Sequence, residues 1–254
     1  MKQQIILWVS AFVITMISIF LLRIIDPEKP VTGTVEFGGE KVSYKFDRVF
    51  RSNDNYKLMI FSKLEGLGGI LEYKLQNTDP VWNRVPLELS GKTLSAEIPK
   101  QPVMSKIIYR VILEHSGKEF IVPQHEGIDL QFLGRVSVQI MAWYYITIFG
   151  GLLLSFRIGL EYFNENDKIK KLSFFAFLTF FFYSMLLIPV KRTYELSAFG
   201  KSIPQINQLF SIGAILIIIL WVVGIISFFR VKNRKLMALI VSVLTLFIFI
   251  IFGY

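Results

Sequence analysis

The chain has no cysteine and only two histidines, His115 and His125. The first absence removes disulfides, thiolate zinc sites, iron–sulfur ligation and a cysteine nucleophile together. The second leaves His125-Glu126 with Asp129 as the one grouping with metal-ligand chemistry, and a metal site would need further ligands. Both histidines are therefore expected as solvated turn residues, and neither a metal nor another cofactor is expected. No Gly-x-Ser-x-Gly elbow supports a serine nucleophile, and no catalytic residue is assigned. The long apolar runs of the second half contain no Asp, Glu, Lys, Arg or His, the groups that ion-coupled transporters and proton pumps carry at mid-membrane. Paired Gly/Pro breaks of discontinuous helices are also missing, apart from Gly150-Gly151.

What is present is apolar bulk in blocks. Of 254 residues 53% are hydrophobic, 24 of them Phe, against about 45–50% apolar in a soluble domain. Blocks of this kind mean several membrane spans and one soluble domain. The net charge of +9 is not a nucleic-acid footprint, because much of it lies at span ends, where Lys and Arg set orientation.

The first block runs without a charge from Ile5 to Leu22, between Lys2 and Arg23. It is too long for a signal-peptide core and lacks an Ala-x-Ala site, so residues 1–25 read as a retained anchor helix, with a cleaved signal as the alternative. Residues 26–136 then change character. Alternating runs at 31–37, 41–46, 56–61, 70–75, 85–89, 93–98, 106–114 and 119–122 are separated by turns at Gly38-Gly39, Asn77-Thr78-Asp79-Pro80, Ser90-Gly91-Lys92 and His115-Ser116-Gly117-Lys118. Short strands at this spacing predict an antiparallel β-sandwich, large enough to bury an adequate core without staples. Trp82 and Tyr109 are expected in that core.

Residues 137–254 hold four further spans, about 140–156, 172–190, 206–229 and 236–252. Trp143, Tyr144 and Tyr145 open the first, where an interfacial belt places them. The Phe-rich stretch Phe174 to Phe182 reads as lipid- or helix-facing packing. Gly213 and Gly224 are spaced too widely for a GxxxG face. Residues 157–171 read as a solvated mixed-charge loop. One side of the membrane collects Lys2, Arg157, Lys168, Lys170, Lys171, Arg230, Lys232, Arg234 and Lys235, the other only Lys191, Arg192 and Lys201 in a short loop. The positive-inside rule makes the first side cytoplasmic. The expected fold is thus five helical spans plus an all-β sandwich, N-terminus inside, sandwich and C-terminus outside.

Two stretches carry a resemblance. Val81-Trp82-Asn83-Arg84-Val85-Pro86-Leu87, then Leu94 to Pro102, then Lys106-Ile107-Ile108-Tyr109-Arg110-Val111, with Gly117 and Pro123 closing the order, resemble the second half of bacterial immunoglobulin-like domains. The whole layout, with Tyr73, Ile98-Pro99-Lys100-Gln101-Pro102, Gly134 and Ala198-Phe199-Gly200 before Pro204, is similar to a family of uncharacterised bacterial integral membrane proteins built from an anchor, one such domain and four spans. It departs from that family at Lys201 to Gln208 and in having no His after His125. The resemblance implies an immunoglobulin-like sandwich on the outer side of the bacterial inner membrane and brings no activity with it.

The best-placed polar segment is Lys191-Arg192-Thr193-Tyr194-Glu195, after Pro189 at a span end. Lys191, Arg192, Tyr194 and Glu195 are the candidate contacts to a partner or to lipid; the plainer expectation is that the two cations snorkel and pair with Glu195 or lipid phosphate. The expected function is a non-catalytic accessory or scaffold subunit of a cell-envelope complex, with membrane lipid and other membrane subunits as partners. The alternative is a membrane enzyme or a lipid- or solute-handling protein acting near Lys191–Glu195.

Overall fold

The computed structural model describes residues 2–252 except 38–39, 65, 77–80, 125–126, 166–167 and 198–203. The turns expected at Gly38-Gly39 and Asn77–Pro80, the His125-Glu126 pair and the Ala198-Phe199-Gly200 match lie outside the described residues. The chain forms two compact units: residues 1–27, 136–194 and 203–254 in one, residues 28–135 and 195–202 in the other.

The second unit is a β-sandwich. Strands β1 (Val31–Phe37), β2 (Glu40–Phe46), β4 (Tyr56–Phe61), β8 (Thr93–Ile98) and β7 (Glu88–Ser90) form one sheet in the order β1-β2-β4-β8-β7. The other has the order β3-β11-β9-β5-β6, from β3 (Val49–Arg51), β11 (Ile128–Leu133), β9 (Lys106–His115), β5 (Gly68–Leu75) and β6 (Asn83–Pro86), with β10 (Lys118–Val122) also on β9. Alternation dictates the core: Tyr56, Leu58 and Ile60 of β4 and Ile107, Tyr109, Val111 and Leu113 of β9 point inward while their neighbours point out. The expected 85–89 strand is split between the two sheets as β6 and β7, with Leu87 buried between them. Two strands are not anticipated by the sequence pattern. β3 is only three residues long, and β11 follows the cis Val122-Pro123 bond and continues along the same side of β9 that β10 occupies. Trp82 is not a core residue; it is half-buried at the entry to β6.

Among the described residues the first unit has five helices long and apolar enough to cross a membrane, Lys2–Ile25, Val138–Phe163, Ile169–Leu196, Ile212–Arg230 and Arg234–Phe252; the protein is a membrane protein. They comprise α1 (Lys2–Ile25), α2 (Val138–Gly159) with a 3₁₀ turn (Leu160–Phe163), α3 (Ile169–Phe182) joined by a π-turn (Tyr183–Leu187) to α4 (Ile188–Leu196), the short α5 (Ile206–Leu209), α6 (Ile212–Arg230) and α7 (Arg234–Phe252). Small residues allow close approach, as in membrane bundles generally. Ala11, Thr15 and Ser18 form the buried stripe of α1, and the Thr15 and Ser18 hydroxyls donate to carbonyls four residues back. Gly151 does not break α2. A methyl group there would stand 2.6 Å from the Phe180 ring, so its bareness seats the buried Phe180, which packs on Trp221 and Phe249. Of the Phe-rich stretch, Phe180 faces the bundle while Phe174, Phe175, Phe181 and Phe182 face outward.

One end of the bundle gathers the basic segments. Gln3 Nε2 donates to the Phe163 carbonyl, Lys235 Nζ to that of Glu165, and Lys170 Nζ stands over the Phe229 ring. The N-terminus, the 160–170 connection and the 230–235 hinge therefore share that end, as the alternation of spans requires.

Candidate functional site

The most unusual chemistry in the helical unit lies at this basic end. Arg157 sits in the last turn of α2, and Glu161 one turn later in the 3₁₀ segment, so their i,i+4 spacing puts them on one face. Their side chains are 1% and 0% exposed, and Arg157 Nη1 stands 2.7 Å from Glu161 Oε1. The pair is ionic at that distance but is not aligned as a hydrogen bond; Arg157 Nε, Arg157 Nη1 and Glu161 Oε1 have no hydrogen-bond partner among the described residues. The rest of each group is tied to another segment. Arg157 Nη2 donates to Gln4 Oε1 of α1 at 2.6 Å, and its guanidinium lies over the Trp8 ring. Glu161 Oε2 accepts from Asn164 Nδ2 at 2.6 Å and from the backbone N–H of Lys168 at 3.2 Å.

This overturns the solvated-loop expectation for 157–171 at two residues. The helix outruns its apolar sequence: the run stops at Phe156, but α2 with its 3₁₀ turn continues to Phe163. Arg157 and Glu161 thus lie inside the candidate span Val138–Phe163, and charge enters the bundle after all. The signal that would have found them was an Arg and a Glu four apart in a segment with no proline. In a medium of low polarity neither charge is stable alone; together they fasten α1, α2 and the start of α3.

Lys191, Arg192 and Tyr194 belong to the helical unit and Glu195 to the sandwich unit. There Glu195 is buried, 1% exposed. Its Oε1 accepts from Arg51 Nε at 3.1 Å, and its backbone carbonyl from the Gly134 N–H. Arg51 also donates through Nη2 to both oxygens of Glu28, at 3.0 and 2.8 Å. Burial works against the Arg51 charge, but the Glu28 carboxylate and then Glu195 outweigh it and hold its pKa above the ordinary value. Glu195 is therefore a structural anion of the sandwich unit.

Lys191 places Nζ 4.8 Å over the ring of Tyr144, whose hydroxyl accepts from that of Tyr183 at 3.3 Å. Tyr183 opens the π-turn, where the Ile188 N–H donates to the Tyr183 carbonyl five residues back. Pro189, which has no N–H to give, explains the shift in pattern at this point. The hydroxyl of Ser184, in the same turn, is buried without a hydrogen-bond partner among the described residues. Tyr194 is exposed, as are Trp143 and Tyr145, the arrangement of an interfacial belt.

In the sandwich, buried hydroxyls form a second polar centre. Tyr109 donates to the Asp47 carbonyl at 2.8 Å, and its oxygen lies 3.3 Å from that of Tyr56. Burial pushes the Tyr56 phenol up to about 12; Tyr109 is pushed well up, first by burial and then by Tyr56. His115 ends β9, with Nδ1 buried and unpartnered among the described residues, and Asp129 lies in β11. Among the described residues no group of three or more His, Cys, Asp or Glu is placed to hold a metal ion. No protein-family model, no curated protein and no solved structure matches this chain.

Proposed function

We propose that the chain is a non-catalytic accessory or scaffold subunit of a bacterial cell-envelope complex. The observation that carries this is the use made of buried charge in the helical unit: Arg157 and Glu161 link α1, α2 and the start of α3 to one another. Such a pair holds helices in register and supports a fixed platform. Partners are other membrane subunits, met by the spans and the sandwich, together with membrane lipid. The sandwich is of immunoglobulin-like type. The supporting features are the two sheets with their strand order, the crossing of the chain from β6 in one to β7 in the other, and the parallel β3–β11 pair. The basic end of the bundle is cytoplasmic, by the positive-inside rule, which puts the sandwich on the outer face of the inner membrane. Extraction in a mild detergent followed by native mass spectrometry tests the scaffold: a stoichiometric membrane-protein partner is expected, and a clean monomer overturns the reading. Thiol labelling of Ser116→Cys in intact spheroplasts tests orientation; an unlabelled protein overturns it.

One observation favours a second reading, lipid handling at the Lys191 end: Lys191, Tyr144, Tyr183 and the buried Ser184 hydroxyl meet at a π-turn, a feature frequent at functional sites. Co-purified phospholipid that is lost on Arg192→Ala supports it; unchanged lipid retention rejects it.

A further inference from the structure

A charged cluster on the outward face of the second sheet has no role in either reading so far. Glu72 lies at the centre of β5, opposite Arg84 on β6 and Arg110 on β9. Its neighbours Leu71 and Tyr73 pair with Val111 and Tyr109 on the core side, so the three charged residues make a row across the other face. Glu72 is only 1% exposed; its Oε1 accepts from Arg84 Nε at 2.9 Å and its Oε2 from Arg110 Nε at 2.7 Å. Beside the row, the half-buried ring of Trp82 has Lys74 Nζ at 4.9 Å and the Arg110 guanidinium at 4.4 Å.

The arrangement is more than a surface ion pair. A buried carboxylate grips each arginine at Nε, which fixes the guanidinium plane. Arg84 remains 69% exposed, so its terminal amino groups face solvent in a set orientation on the sheet-edge strand. Two arginines bind one carboxylate, and Lys74 and Arg110 both stand at the Trp82 ring, so cations outnumber the anion beside that ring. Guanidinium forks of fixed plane match carboxylates in bidentate fashion, and Trp and Arg are the residues on which protein interfaces depend most.

We infer that this face of the sandwich docks an acidic segment of a protein partner, with Arg84 and Lys74 meeting its carboxylates, Trp82 its apolar side chains, and Glu72 acting as a positioning residue. The inference rests on the scaffold reading and deepens it by naming the surface and the chemistry of the partner.

The test uses the full chain in nanodiscs of phosphatidylcholine and a fluorescein-labelled glutamate decapeptide, followed by anisotropy. Arg84→Gln is expected to weaken binding about tenfold, as loss of one charge-assisted contact does. Lys57→Gln, an equal charge change at an exposed position on the other sheet, is expected to leave it within about twofold. Glu72→Gln makes the face more positive yet is expected to weaken binding, because the arginines lose their fixed orientation. Equal losses at Arg84 and Lys57, or tighter binding by Glu72→Gln, mean diffuse charge attraction and overturn the proposal. So does full competition by phosphatidylglycerol vesicles, which would assign the patch to a membrane surface. If a partner co-purifies with the wild-type chain and the peptide result is negative, the scaffold reading stands and this surface falls. If the chain is a monomer that nonetheless binds the peptide in the expected pattern, the surface stands and the scaffold reading falls.

Discussion

In the sandwich the polar groups turned toward the core are phenols, Tyr56 and Tyr109, while the carboxylate of Glu72 lies on the outward face under two arginines. In the helical unit a charged pair, Arg157 with Glu161, is fully buried beside hydroxyls such as those of Ser155, Ser184 and Thr245. The contrast follows from what surrounds each unit. A sandwich in water can leave every charge on its outer faces, so its core admits only neutral hydroxyls that find a partner. A helix that crosses a bilayer has lipid on its outer side, where a charge has no partner at all; one that falls short of the interface is driven inward and must be met by its opposite. Four neutral hydroxyls obey the same rule in smaller form. Thr15, Ser18, Thr147 and Thr245 each donate to the carbonyl four residues back in their own helix, which removes the need for outside partners.

The largest test of this contrast is at Arg157. Arg157→Leu leaves Glu161 charged and alone in the bundle and is expected to cost about 3–5 kcal/mol, read as loss of folded protein in detergent thermal unfolding followed by tryptophan emission. Replacing both, Arg157→Leu with Glu161→Leu, is expected to recover most of that loss. A double variant as damaged as the single one breaks the comparison, because the pair would then contribute more than mutual neutralisation.

In the sandwich the corresponding deletion is milder. Tyr109→Phe keeps the packing of a fully buried ring and loses the bond to the Asp47 carbonyl, for about 1 kcal/mol. A loss equal to that at Arg157 would show that the two units do not differ as argued.

Alkaline titration sharpens the same point. Tyr56 is held neutral, with its pKa raised from 10 to about 12, so its contribution to stability is fully present below pH 10. It is lost as the pH rises from 10 through 12, because the unfolded phenol releases its proton first. Absorbance at 295 nm should show late-ionising tyrosines, and Tyr56→Phe should reduce that component by one phenol. A single unshifted wave for all tyrosines would contradict the buried hydroxyl pair.

The smallest effect is expected at Glu28. It is 43% exposed against the 2% of Glu195, its fellow partner on Arg51. Glu28→Ala should therefore cost no more than about 0.5 kcal/mol, and less than Glu195→Gln in the same melt. The reverse order would mean that Arg51 is held chiefly from the solvent side.

Much of this fold was legible as pattern. Alternation placed most strands, since β4 and β9 alternate as the pleat requires, and uninterrupted apolar runs placed the spans. What escaped has specific causes. β3 is too short to show a period, and β11 begins within a segment whose chain has already paired once with β9. Trp82 has the bulk of a core residue, but its position at the β6 entry sets it beside Lys74 and Arg110. Nothing near Glu195 in the sequence announced its partner Arg51, which lies 144 residues away.

The sequence by itself determined where apolar surface must go: a charge-free run can only be buried in lipid or protein, and an alternating run can only present one face to a core. It also determined which end of the bundle is basic, because Lys and Arg cluster at every second loop. Tertiary structure alone decided which charges neutralise one another. Arg51 meets Glu195 from 144 residues away, and the amide of Gln4 meets Arg157 from 153 residues away. Electrostatic attraction depends on distance and on the polarity of the surroundings, and both are properties of the folded chain.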